Sequence, residues 1–170
     1  MIVGLTYAEL LVSYLVAGQR QTMNMKRSIN AKHGAPEGAG GEELHILAAQ
    51  GEMAVAKALN LFWSGTVGEY GAIDVGGAVE VRTRSQQWHE LIIHEDDRDD
   101  VPFVLVLGGN APLMFLAGWI WGREGKQPKF WKDPAKGRPA YFVPRSGLRP
   151  MADLVAAFGC FTGPLFMEAG

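Results

Sequence analysis

Apolar positions recur along this chain at two periods, and the change of period divides it. Leu10, Leu11, Tyr14 and Leu15 stand three and four residues apart, the spacing of one face of a helix. Thr6 and Glu9 precede them as a capping box, in which hydroxyl and carboxylate each satisfy a free backbone amide. The pattern predicts a first helix from about Thr6 to the high twenties, turning polar and basic over Arg20–Arg27. Leu44, Leu47, Ala48, Gly51, Val55 and Leu59 repeat the helical spacing and predict a second helix over Glu42–Asn60. Its many small residues permit close packing on a sheet.

From Ala78 the period drops to two. Val79, Val81 and Thr83 alternate with Glu80, Arg82 and Arg84, the mark of a half-buried strand. Gly76-Gly77 before it is a tight-turn signal. The turn places Ile73 and Asp74 on a neighbouring strand. Leu91–His94, Pro102–Leu107 and Leu113–Trp121 read as three more strands, and Met151–Phe158 as a closing helix with Pro150 at its first turn. Two helices followed by about four strands predict an α/β (α+β) fold, with a mixed sheet covered by the N-terminal helices. Asn30–Gly41, with His33, Pro36 and Glu37, reads as a connector. The acidic run Glu95–Asp100 reads as a solvated loop, and Gly159–Gly170 as an apolar tail broken by Gly and Pro. At 170 residues the chain is expected to form one domain: an N-terminal helix to about residue 30, a core over 42–154 and the tail over 159–170.

Composition narrows the classes. A net charge of −2 excludes a uniformly basic nucleic-acid binder, so any such role must rest on a local patch. One exists: Arg123–Arg149 holds eight cations against two acids, with Phe130, Trp131 and Tyr141 interleaved. Cations mixed with aromatics suit a phosphate backbone and its bases; the plain alternative is a surface loop anchored by its rings. The single cysteine, Cys160, excludes an internal disulfide, and four scattered histidines give no zinc spacing. No positive charge precedes the N-terminal apolar run, Glu9 interrupts it, and no stretch is long enough to span a bilayer. A soluble cytoplasmic protein with no membrane partner is expected.

The candidate chemistry lies at the start of the alternating strand. Asp74 falls after a glycine-rich approach (Gly68, Gly71) and before the Gly-Gly turn, so it can lie beside Glu80. Two carboxylates with Arg82 on one sheet face are the minimum set for holding a divalent metal against a phosphate. The plain reading is a turn residue and the solvated face of an amphipathic hairpin. Glu52 borders the apolar stripe of the second helix. It either marks the water boundary or leans toward Asp74 and Glu80 as a third carboxylate.

These residues and their order resemble the PD-(D/E)xK nuclease superfamily, the restriction-endonuclease-like fold, in a small phage- or prophage-type version. Gly51–Leu59 is similar to that family's N-terminal helix with its Glu. Asp74 is similar to its motif Asp, and Glu80-Val-Arg82 stands where it has (D/E)-x-K. Gly118-Trp-Ile-Trp-Gly122 and Val143–Leu148 fit the later elements, so the resemblance covers roughly Glu42–Leu154. It implies a Mg²⁺- or Mn²⁺-dependent nuclease acting on DNA in a bacterial host cell, with a homodimer possible. Asp74, Glu80 and Glu52 would be metal ligands, aided by the Val81 carbonyl, and these three acids with Arg82 the catalytic set. Arg84, Lys126, Lys129, Lys132, Lys136 and Arg138 would contact nucleic acid. Arg82 replaces the family's Lys. A planar, permanently charged fork clamps phosphate but does not accept a proton, so the alternatives are a silent relative that binds nucleic acid or a protein partner, or a phage accessory or structural protein.

Overall fold

In the computed structural model, residues 1–26, 39–69, 71–108, 111–134 and 136–159 are described. The readings for the connector within 27–38, for Cys160 and for the tail lie outside the described residues. The chain is mixed α/β, with helices on one side of a four-stranded sheet and a three-stranded sheet on the other.

The first strand, β1 (Ile2–Gly4), leads into α1 (Tyr7–Lys26). The capping box forms as the sequence predicts. Thr6 N donates to Glu9 Oε2 at 2.6 Å, and Glu9 N donates to Thr6 Oγ1 at 3.3 Å. Next comes α2 (Ala39–Leu59). The strands β2 (Glu80–Arg84), β3 (Leu91–Ile93), β4 (Pro102–Leu107) and β5 (Leu113–Trp121) follow where the alternation and the apolar runs put them. Beyond them lie a short α3 (Gly122–Gly125), β6 (Trp131–Lys132), β7 (Ala140–Val143) and α4 (Met151–Gly159).

The larger sheet has the order β1-β5-β4-β2. β2 runs parallel to β4, and β4 antiparallel to β5. β4 is central and buried at every residue, which explains its uninterrupted apolar run. Its two faces serve two cores. Val104 and Val106 pack with Val81, Leu116 and residues of α2 and α4, including Val55, Leu59 and Leu154. Phe103, Leu105 and Leu107 pack with Leu91, Ile93 and Val143 of the smaller sheet, whose order is β3-β7-β6.

Three expectations change. The strands after Ala78 do not share one sheet: β3 leaves β2 and pairs with β7 instead. The basic segment Arg123–Arg149 is not merely a surface loop, because β6 and β7 are two of the three strands of the smaller sheet. And β1, too short to show a period, closes the other edge of the larger sheet through Ile2–Gly4 against Leu113–Phe115.

One close approach sets the helix on the site. A Cβ on Gly51 of α2 would lie 1.9 Å from Thr83 Oγ1 of β2. Only a glycine lets the helix axis come this near to the edge strand.

Candidate functional site

Asp74 stands at a tight turn, not on a strand of its own. Val75 and Val79 form an isolated bridge, each amide donating to the other's carbonyl at 3.1 Å. Gly76 and Gly77 close the turn at φ 58° and 64°, where side chains beyond glycine are strained. This geometry brings the Asp74 carboxylate back onto β2, and Oδ2 accepts the Val81 amide at 2.8 Å.

On β2, Glu80, Arg82 and Arg84 register with Phe103, Leu105 and Leu107 of β4. They therefore point to the face that carries the smaller sheet, as alternation requires. The Arg82 guanidinium lies over the Phe103 ring, 5.0 Å from its centroid. Its Nη1 is 3.2 Å from Glu80 Oε2 and 3.9 Å from Asp74 Oδ2, and its Nη2 is 2.9 Å from Asp97 Oδ2. Asp97 belongs to the acidic run. The loop after β3 turns Asp97 inward, and the same Oδ2 accepts the His94 amide at 2.8 Å. The run is thus not wholly a solvated loop. Sequence reasoning missed Asp97, since nothing in six consecutive polar residues marks the one that turns in.

Glu52 is buried on α2 and is held on three sides. Arg20 of α1 donates from Nη1 and Nη2 to its two oxygens at 2.8 Å each, and Trp63 Nε1 donates to Oε2 at 2.9 Å. Arg20 Nε also donates to the Thr66 carbonyl at 3.0 Å. A bidentate pair of this kind fixes both side chains. The Glu52 oxygens are thus committed to Arg20 and Trp63, while its charge still acts on Asp74. Arg20 and Trp63 could not be found from spacing, because they lie 32 residues before and 11 after Glu52.

Asp74 thus sits between Glu52 and Glu80. Burial, and then the charges of those two carboxylates, push its pKa up to about 8, while the Val81 amide and Arg82 pull the other way. Around it are Glu52, Glu80 and Asp97 against Arg20 and Arg82. The acids exceed the guanidiniums, and a proton on Asp74 relieves the excess.

The hard-oxygen donor set here is Asp74 and Glu80. Among the described residues, Asp74 Oδ1 and Glu80 Oε1 accept no hydrogen bond. No group of three or more His, Cys, Asp or Glu side chains that could hold a metal ion is gathered among the described residues. Mg²⁺ is compatible with fewer, because it keeps several waters and is commonly bound by one or two carboxylates plus substrate phosphate. On that chemistry the pair fits the ion, with Glu52 one layer behind.

Beside this cluster a groove of about 970 Å³ runs between the edge strand β2 and the smaller sheet. Arg82 and Arg84 line it from one side, Ile92 and Phe142 from the other, with Arg138 and His94 also on its wall. Of the other predicted nucleic-acid contacts, only Lys132 reaches the groove, with its Nζ 6.0 Å from the centroid of the Phe142 ring. Lys126 is bound to Asp99 at 2.7 Å and to the carbonyls of Glu95 and Asp97. Lys132 pairs with Glu90 at 2.9 Å, and Lys129 lies over the Phe130 ring. Lys136 takes a positive φ of 48° in a turn that Asp133 holds through the Gly137 and Arg138 amides. The structure therefore brings Asp74, Glu80, Arg82, Arg84 and Arg138 into one region, with Lys132 over Phe142 at its far wall, and leaves Lys126, Lys129 and Lys136 off that wall.

No helix among the described residues is long and apolar enough to cross a membrane. Against family models, curated proteins and solved structures, the chain has no match.

Proposed function

We propose that this chain is a metal-dependent phosphodiester hydrolase with a restriction-endonuclease-like core, acting on DNA. The observation that carries the reading is one strand. Glu80 and Asp74 stand at the start of β2 with uncommitted oxygens, and the next alternate residues, Arg82 and Arg84, enter a groove. Carboxylates followed by cations along a single edge are what a phosphodiester with a bound divalent ion requires.

In this reading Asp74 and Glu80 hold Mg²⁺ or Mn²⁺. The ion supplies a water of lowered pKa and neutralises charge on the phosphate. Arg82 places positive charge beside the scissile group. It does not take a proton, since a guanidinium stays protonated. Asp97 and Phe103 orient Arg82, and Arg20 keeps Glu52 from competing for the ion.

A second reading, a nuclease-fold protein that binds nucleic acid without cutting it, draws on the same residues. Both terminal nitrogens of Arg82 are engaged, with Glu80 and Asp97. Cleavage of plasmid and single-stranded oligonucleotide in Mg²⁺ or Mn²⁺ separates the two. Under the first reading Asp74→Ala and Glu80→Ala each reduce cleavage about 100-fold or more with the fold intact by circular dichroism. Cleavage persisting in both variants would place the chemistry elsewhere. No cleavage in the wild type, with DNA still bound, would favour the second reading.

A further inference from the structure

One cation of the groove, Arg84, has no carboxylate partner among the described residues. Arg84 Nε is shut off from solvent and makes no hydrogen bond, and no carboxylate pairs with Arg84 among the described residues. Burial alone draws its pKa below the ordinary arginine value, yet a guanidinium remains charged. The residue as a whole is only half-buried and lines the groove, so its charge is open to an anion that arrives from outside.

The surroundings state which anion. β2 is an edge strand, and its consecutive residues Val81–Arg84 all line the groove. The opposite wall is apolar and aromatic: Ile92 and Phe142, paired across β3 and β7, share the face turned to the groove. Glu95 and Asp96 also line the groove, and Arg84 is the lining cation on the edge strand that no carboxylate pairs among the described residues. Cations on one wall and a stacking ring on the other suit a chain whose bases are unstacked. A duplex keeps its bases inside the stack and would have none to offer Phe142. A cleft of about 970 Å³ is also small-molecule sized, with room for roughly one or two nucleotides and not for the width of a duplex.

We infer that the groove takes single-stranded nucleic acid, with a phosphate on Arg84 and a base against Phe142. The inference rests on the nucleic-acid reading above and adds the substrate form. It makes Arg84 a binding residue for strand form, separate from the Asp74–Glu80 pair.

The test is fluorescence anisotropy in EDTA, using a labelled 12-nucleotide oligo-dT and a blunt 12-base-pair duplex, on the full chain and on Arg84→Gln and Phe142→Ala. The single strand is expected to bind at least tenfold more tightly than the duplex. Arg84→Gln is expected to weaken it about tenfold and to reduce the salt slope by about 0.7, the value of one single-strand phosphate contact. Arg84→Lys recovers part of the affinity, which a merely structural role would not predict. Equal or tighter binding of the duplex, or single-strand affinity and salt slope unchanged in Arg84→Gln with its melting temperature preserved, would overturn the inference and leave the nuclease reading standing. No binding of either oligonucleotide would also overturn the inference, and the cleavage assay in Mg²⁺ or Mn²⁺ then decides the nuclease reading separately.

Discussion

At the scale of residues, the account turns on Asp74. Its folded pKa of about 8 lies above the ordinary 3.8, with burial as the main cause and Glu52 and Glu80 next. The sign follows from proton counting. Between about pH 4 and 8 the unfolded chain has lost this proton and the folded chain retains it, so stability falls as pH rises through that window. Below about pH 4 both forms are protonated and no penalty remains. Asp74→Asn removes the titration and keeps an acceptor for the Val81 amide. It is expected to raise the melting temperature at pH 8 by roughly 2–8 °C, about 1–2 kcal/mol for a chain of this size, with the gain fading toward pH 5. Melting curves at the two pH values decide it; equal shifts at both, or a loss at pH 8, would contradict the charge balance described. Asp74, Glu80 and Arg82 were visible from alternation and the Gly-Gly turn, because those signals are local. Asp97, Arg20 and Trp63 were not, because no local pattern marks which polar or aromatic residue turns toward the site.

Elements supply the frame. Most were legible: the capping box set the start of α1, the helical spacing set α2, and the apolar runs set β4 and β5 at their observed ends. What escaped was partnership. β3 has the same apolar look as β4, and no local pattern says that it joins β7 rather than β2. Two contacts between elements can be tested. Glycine within a helix ordinarily costs about 1 kcal/mol relative to alanine, yet Gly51→Ala should destabilise by about 1–3 kcal/mol, because its Cβ would meet Thr83 Oγ1 at 1.9 Å. Chemical denaturation should show this loss, and Thr83→Ala should recover part of it; a stabilised Gly51→Ala would mean that α2 does not lie this close to β2. The Arg20–Glu52 pair pins α1 to α2. Arg20→Met leaves a buried carboxylate and should cost about 3–5 kcal/mol. Arg20→Met/Glu52→Met should regain most of that, and a double-mutant cycle that found the two effects additive would deny the pair its role.

Taken as a whole, the molecule places two cores on either face of one sheet and leaves the edge of β2 facing a groove. That arrangement joins an acidic cluster to a basic, partly aromatic cleft in a chain whose net charge is only −2. In the proposed function, this cluster exchanges its proton for a metal. The direct measurement is calorimetric titration of Mg²⁺ and Mn²⁺ at pH 8 into the wild type and into Asp74→Ala/Glu80→Ala, with protons released on binding read from two buffers of different ionisation enthalpy. The account predicts binding to the wild type with release of a fraction of a proton, matching the partly protonated Asp74, and no binding to the double variant. Binding that survives in the double variant, or no binding by the wild type with or without oligonucleotide, would contradict it.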